Sequence, residues 1–221
     1  MPRMIVYTLL VLALMISIVL SLSSGVSGVA LAGEAPHREK PTEPEPEDLI
    51  HPAQSDDPIA AAGQAKPEHY KHFDDKDWKA ILSDKEFYIL RQSGTEYAGT
   101  GRYLDSEKVG AYHCAGCGLK LYNSQHKFHS GCGWPSFNQE VEEGALAYYV
   151  DESVGMVRKE MRCARCDGHM GHVFQDAPDQ PTGLRHCVNG YAIVFIPAGQ
   201  KAEEALVEHR RQQVAGQKKD G

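Results

Sequence analysis

Positive charge is scarce in this sequence: 23 lysines and arginines face 30 aspartates and glutamates, for a formal net charge of −7. A grip on nucleic-acid phosphates needs surplus basic side chains, so general nucleic-acid binding is excluded. No internal repeat is apparent, and the 221 residues read as one globular block with appendages. Also missing is the strand-helix-strand context that surrounds a redox-active C-x-x-C of the thioredoxin type.

The chain opens with a run from Met4 to Leu22 that is apolar or small, preceded by Arg3 and followed by a Ser/Gly-rich stretch ending in Ala30-Leu31-Ala32. That order is expected of a secretory signal peptide over residues 1–32. The run is also long enough for an uncleaved N-terminal membrane anchor. Both readings place the protein outside the cytoplasm, either periplasmic or secreted, or anchored to the membrane and facing that side. Removing residues 1–32 takes away one arginine and no acid, so the remainder is more acidic still.

Seven of the twelve prolines lie between residues 33 and 67, around "EKPTEPEPED". Such a composition buries too little apolar surface to offset ordering, so residues 33–72 are expected to form a disordered Pro/Glu-rich linker. An ordered domain is expected over 73–200, followed by a charged, helical tail over 201–221. Trp78, Ile81 and Leu82, at i, i+3 and i+4, predict a short amphipathic helix. "SDKE" at 83–86 has the capping-box pattern, with Ser83 as N-cap, Glu86 at N3 and Gly94 as a stop. Beyond residue 100 the runs "LAYYV", "GMVRKEM", "GHVFQD" and "LRHCVNGYAIVFIP" are strand-like. The expected core is therefore mainly β.

Four of the six cysteines form two C-x-x-C pairs, Cys114/Cys117 in "CAGC" and Cys163/Cys166 in "CARC". Two such turns can complete a tetrahedral sulfur shell, so these residues are the candidate ligands of one structural zinc per chain. Three disulfides in an oxidising compartment are the competing reading. A saturated thiolate shell would staple the domain together and take no part in chemistry.

Cys132 and Cys187 are left over. Cys132 sits in "SGCGWPSF", either a tight turn with a core tryptophan or a rigid loop presenting Trp134 as a flat apolar wall. If "LRHCVNG" is extended, alternation places Arg185, Cys187, Asn189 and Tyr191 on one face. A guanidinium beside a thiol favours the nucleophilic thiolate, although an exposed strand face could carry the same residues incidentally. His169 and His172 in "CDGHMGHVFQD" follow the second cysteine pair; with four thiols already available to the metal, they are candidates for proton delivery.

"CAGC", "KFHSGCGWPSF", "CARCDGHMGHVF" and "GLRHCVNG", in that order, resemble the B-type methionine sulfoxide reductases, which act on the R epimer at sulfur. The resemblance covers about residues 75 to 198 and includes "DWKAIL" and "RQSGTEYAGTGRYL". It implies two antiparallel sheets in a tent-like, Mss4-like fold with short N-terminal helices and a structural zinc site. It further implies that Cys187 is the catalytic nucleophile and Cys132 the resolving cysteine. Trp134 and Phe195 become substrate contacts, while His169, His172 and Asn189 orient and protonate the sulfoxide oxygen and Arg185 tunes the thiol. The implied partners are oxidised proteins and a thioredoxin-like reductant, with the enzyme a monomer serving protein repair under oxidative stress. Sulfoxide chemistry suits this set, because an electrophilic sulfur calls for a thiolate and a basic oxygen for an acid. A zinc-stapled thiol-disulfide oxidoreductase and a protein-binding module are the competing classes.

Overall fold

The computed structural model describes residues 51–217. The expected signal peptide or anchor, residues 1–32, and the first part of the expected linker lie outside the described residues. Among the described residues no helix is long and apolar enough to cross a membrane.

Residues 51–72, expected as linker, are instead folded. A 3-10 turn (Pro52–Gln54), helix α1 (Pro58–Gln64) and a second 3-10 turn (Pro67–Lys71) each carry a proline in the first turn, where its missing N–H costs nothing. Asp57 caps α1 by accepting the Ala60 N–H at 3.0 Å. Ile59 and Tyr70 are buried in the main core, as is Phe73 just beyond. Burying each large side chain contributes roughly 2 kcal/mol. A few such anchors were invisible in a composition dominated by proline and acid.

Helix α2 (Asp75–Ile81) and helix α3 (Asp84–Gln92) follow the expected pattern. Ser83 Oγ accepts from the Glu86 N–H, and Glu86 Oε2 accepts from the Ser83 N–H at 3.0 Å, closing the capping box. The left-handed residue that ends α3 is Ser93 rather than Gly94. Trp78 of α2 is almost fully buried, against Phe73 at 5.0 Å and under the Arg91 guanidinium at 4.8 Å.

The rest is two antiparallel sheets. Strands β1 (Gly110–Cys114), β2 (Lys120–Asn123) and β9 (Ile193–Pro197) form the smaller, in the order β2-β1-β9. The larger has the order β3-β4-β8-β7-β6-β5, built from β3 (Lys127–Phe128), β4 (Ser136–Phe137), β5 (Leu146–Asp151), β6 (Arg158–Cys163), β7 (His169–Phe174) and β8 (Arg185–Val188). The sheets meet through aromatics, Phe137 stacking on Tyr122 at 4.1 Å and standing edge-on to Tyr112 at 5.0 Å.

"LRHCVNGYAIVFIP" does not form the one continuous run expected. It breaks after Val188, turns through residues 190–192 and enters the other sheet as β9. The break is enforced from outside the segment: the Glu96 carboxylate accepts the Gly190 N–H at 2.6 Å and the Tyr191 N–H at 3.3 Å. Gly190 is needed there, since a Cβ would stand 2.3 Å from the Arg102 carbonyl oxygen. Cys187 therefore sits near the end of β8, where the two sheets part company.

The chain closes with helix α4 (Ala202–Gln217), which returns to α1: Val207 packs over Gly63, and Arg211 Nη2 reaches Asp57 Oδ2 at 2.8 Å.

Candidate active site

Cysteine occurs in two clusters. Cys114 ends β1 and Cys163 ends β6; Cys117 and Cys166 follow on tight turns in which Gly118 and Asp167 adopt positive φ. The four sulfurs lie within 4.8 Å of one another and are all buried. Cys114 Sγ is 3.7 Å from Cys166 Sγ, and Cys117 Sγ is 3.5 Å from Cys163 Sγ, too far for disulfides. Tetrahedral zinc with bonds of about 2.3 Å needs sulfurs about 3.8 Å apart, so the donor set fits that ion.

Crowding also points to a cation. Hydrogen bonds from Cys117, Cys163 and Cys166 hold Cys114 well below an ordinary thiol, while burial pushes Cys117 up and the Cys114 hydrogen bond does the same to Cys166. The surrounding carbonyls are tied down: Arg210 donates to Gly116 O at 2.5 Å, Arg91 to Cys166 O at 2.9 Å and Arg165 to Cys117 O at 3.2 Å. Trp78 covers the first turn at Gly116. The cluster joins β1 of the small sheet to β6 of the large one.

The second cluster is Cys132 and Cys187, their sulfurs 3.5 Å apart and both half-buried. Cross-strand register produces this: Ser136 of β4 lies directly opposite Cys187 of β8, and the loop before β4 carries Cys132 back over the pair. Ser130 Oγ donates to Cys132 Sγ at 3.1 Å, and Ser136 Oγ is 3.4 Å from it. The hydrogen bond from Cys187, with those serines, holds the Cys132 thiol down at about 4. The same bond, with burial, pushes Cys187 up against the downward pull of Arg185. The two thiols thus influence each other across a 3.5 Å contact in which either sulfur can donate.

Cys187 opens into a pocket of about 190 Å³ lined also by Thr95, Trp134, Arg158, His172, Phe174 and Asn189. Trp134 is fixed by Nε1–H donating to Glu96 O at 3.1 Å, and Asn189 Oδ1 accepts the Glu96 N–H at 3.1 Å. His172 lies opposite Cys187 in the β7–β8 register, its Nε2 2.7 Å from Asp151 Oδ2, which also accepts from Arg158 at 2.6 Å. The hydrogen bonds of Ser153, followed by that of His172, hold the Asp151 carboxyl well below the usual carboxylate range. Gly171, at φ 143°, is required for this approach, because a Cβ would meet the Cys187 carbonyl oxygen at 2.1 Å.

Of the residues singled out in the sequence, Cys132, Cys187, Trp134, His172 and Asn189 come together. Phe195 does not: it packs on Tyr112 at 5.2 Å inside the small sheet, because the break after Val188 turns β9 away from the pocket. His169 is also displaced. It is buried, its Nδ1 2.5 Å from Glu160 Oε1, and it meets the pocket only through an edge contact with His172 at 5.6 Å. Burial lowers its tendency to protonate. Arg185 lies beside Cys187 but grips Asp176 through two hydrogen bonds of 2.9 and 2.6 Å. It lines a separate cavity of about 370 Å³ shared with Cys132. Tyr191 leaves the face shared by Arg185 and Cys187, having passed into the turn.

Sequence reasoning missed Thr95, Glu96, Asp151, Arg158 and Phe174. Phe174 was within reach, two residues past His172 on the same strand face. The others are brought in by registers and loops that no local spacing encodes.

Comparison with known proteins gives a consistent picture. The SelR domain family matches residues 82–197. A protein named peptide methionine sulfoxide reductase MsrB from Agrobacterium fabrum is 50% identical over 123 residues, covering 56% of this chain and 90% of that one. Proteins of the same name from Teredinibacter turnerae and Pseudomonas putida (strain W619) are 48% and 46% identical over 122 residues, each pairing covering 55% of this chain and 90% and 91% of the relatives.

Proposed function

Because the chain belongs to the SelR-domain family of peptide methionine sulfoxide reductases, we propose that it reduces the R epimer of methionine sulfoxide with Cys187 as nucleophile and Cys132 as resolving thiol. The observation that carries this reading is the Cys132–Cys187 contact of 3.5 Å at the mouth of a pocket walled by Trp134 and the His172–Asp151 pair.

Cys187 acts as its thiolate, the form that the Arg185 guanidinium beside it favours. That thiolate attacks the sulfoxide sulfur. His172, oriented by Asp151, gives a proton to the oxygen, and the carboxylate stabilises the imidazolium before transfer. The hydroxyl then passes to Cys187 Sγ as both the S–O bond to methionine and the transient S–S bond break, so that methionine leaves and Cys187 holds the oxygen as a sulfenic acid. Trp134 offers the apolar wall for the methyl group, and Asn189 shapes the pocket floor. Cys132 then gives up its proton and attacks Cys187 Sγ. Water departs and a disulfide forms, the sulfurs closing by about 1.5 Å to bond length. A thioredoxin-like dithiol restores both thiols by exchange and becomes a disulfide itself.

Cys114, Cys117, Cys163 and Cys166 would hold zinc, which when bound supplies a closed thiolate shell that braces the two sheets. The N-terminal apolar segment supports an exported or membrane-held enzyme acting on oxidised proteins outside the cytoplasm. The test gives the protein both sulfoxide epimers with dithiothreitol and follows each by chiral chromatography. Selective loss of the R epimer is expected; consumption of neither would remove Cys187 from this role.

A further inference from the structure

Residues 93–97 belong to no helix or strand, yet Thr95 among them lines the Cys187 pocket. The segment is anchored at Glu96, which is buried and reaches the site with both backbone and side chain. Its carbonyl oxygen accepts from Trp134 Nε1–H at 3.1 Å, and its own N–H donates to Asn189 Oδ1 at 3.1 Å. Its carboxylate accepts the N–H groups of the two residues after Asn189, Gly190 on Oε1 at 2.6 Å and Tyr191 on Oε2 at 3.3 Å. One residue therefore ties the indole wall of the pocket to the strand end that carries Cys187. Asn189 is a strut in the same frame: it is buried, and its Nδ2 donates to Met170 O of β7 at 3.3 Å.

The hold depends on charge. Burial pushes the Glu96 carboxyl up, against the pull of the Gly190 and Tyr191 N–H groups. The Arg102 guanidinium, which also draws on the carboxylate, is itself committed to Glu86 at 2.9 Å and to Gln213. Hydrogen bonds to an ionised acceptor are roughly twice as strong as neutral ones. The two N–H donors sit on different oxygens, so a carboxamide would turn its own NH2 toward one of them. Gly101 leaves room for the same group, since a Cβ there would stand 2.1 Å from Glu96 Oε1. We infer that Glu96 is a positioning residue that fixes the gap between Trp134 and Cys187, and through that gap the size of the sulfur substituent the pocket admits. This rests on the reading of the Cys187 pocket as the sulfoxide site. A wall that cannot yield crowds an ethyl group where a methyl group fits, and one methylene in an apolar pocket is worth roughly 10- to 200-fold in discrimination.

The experiment gives the full chain the R-sulfoxides of N-acetylmethionine and N-acetylethionine with dithiothreitol and compares kcat/KM for the two. The unaltered protein is expected to favour the methyl compound about tenfold or more. In Glu96→Gln, with the circular dichroism spectrum unchanged, the preference should shrink to about threefold or less. Gly101→Ala is a second route to the same loss, because it keeps the carboxylate and pushes it off the turn; it carries the test should Glu96→Gln fail to fold. A folded variant that loses the same fraction of activity on both compounds, and so keeps the preference, overturns the inference and leaves Glu96 a structural residue only. An unaltered protein that turns over both compounds equally well overturns it too, while leaving the sulfoxide reductase reading intact. Turnover of neither compound by the unaltered protein removes that reading and the inference together.

Discussion

Two sulfur clusters in this protein have nearly the same spacing, 3.5 to 3.7 Å between neighbouring sulfurs, and opposite surroundings. The four-cysteine cluster is sealed beneath Trp78 and α4, its carbonyls pinned by three arginines. The two-cysteine pair is half-buried and borders two cavities, one opening at Cys187 and the other at Cys132. Four thiols in a closed box suit a dication, whereas two neighbouring, half-buried thiols beside open cavities suit thiol-disulfide exchange. The contrast teaches that number and access, more than distance, decide whether a cysteine group is structural or reactive.

The contrast can be broken most violently at the closed site. Cys163→Ser is expected to cost at least about 5 kcal/mol and leave the chain unfolded, as loss of a structural metal does; circular dichroism and zinc content, expected at one per chain in the parent, would read it. A folded, active Cys163→Ser protein would erase the distinction. At the open site, Cys187→Ser should keep the fold and the zinc while lowering sulfoxide reduction about 10⁴-fold or more. Activity within tenfold of the parent would move the nucleophile elsewhere. Cys132→Ser sharpens the division inside the pair: one equivalent of methionine should appear at near-normal rate in a single turnover, with later cycles about 100-fold slower. Absence of the burst would place Cys132 in the first chemical step.

Asp151→Asn leaves His172 without its carboxylate and should lower kcat about 30-fold with little change in KM, by analogy with lost orientation of a catalytic imidazole. The smallest effect is on pH dependence. A thiol lowered to about 4 is thiolate above that value and becomes protonated as pH falls through it. Alkylation of Cys132 by iodoacetamide, followed by peptide mapping, should therefore hold its rate down to about pH 5, whereas an ordinary thiol loses about tenfold per unit below its pKa near 8.5. An ordinary profile for Cys132 would show that Cys187 and the two serines do not hold it down.

Legibility in the sequence followed the range of the interaction. Cys114/Cys117 and Cys163/Cys166 announce themselves through a two-residue spacing, and Cys132, Trp134, His172 and Cys187 lie in short motifs whose composition already suggests reactive chemistry. The capping box at Ser83 and Glu86 is equally local. Asp151 and Arg158 enter the site because β5 and β6 pair across from β7, a register set by turns and bulges far from the motif. Phe195 was misplaced for the complementary reason. The turn that diverts it is imposed by Glu96, almost a hundred positions earlier in the chain, which no reading of "NGYAIVF" contains. His169 shows a subtler limit: the register shift at Met161/Arg162 keeps it on the face of His172, yet the carboxylate of Glu160 and burial hold its ring away from the pocket.

The meeting of α1 with α4 sets the size of the folding unit. Family likeness spans residues 82–197, yet the helices on either side of that stretch grip each other through Val207 and Gly63 and through Arg211 and Asp57. They also carry in Arg210, a clamp on the Cys114–Cys117 turn, while the adjoining α2 supplies its lid, Trp78. A recombinant fragment cut at the limits of homology would discard both jaws of this clasp and unroof the cysteine box. Protease would then find its first purchase at the four-cysteine end of the molecule, well away from the Cys187 pocket.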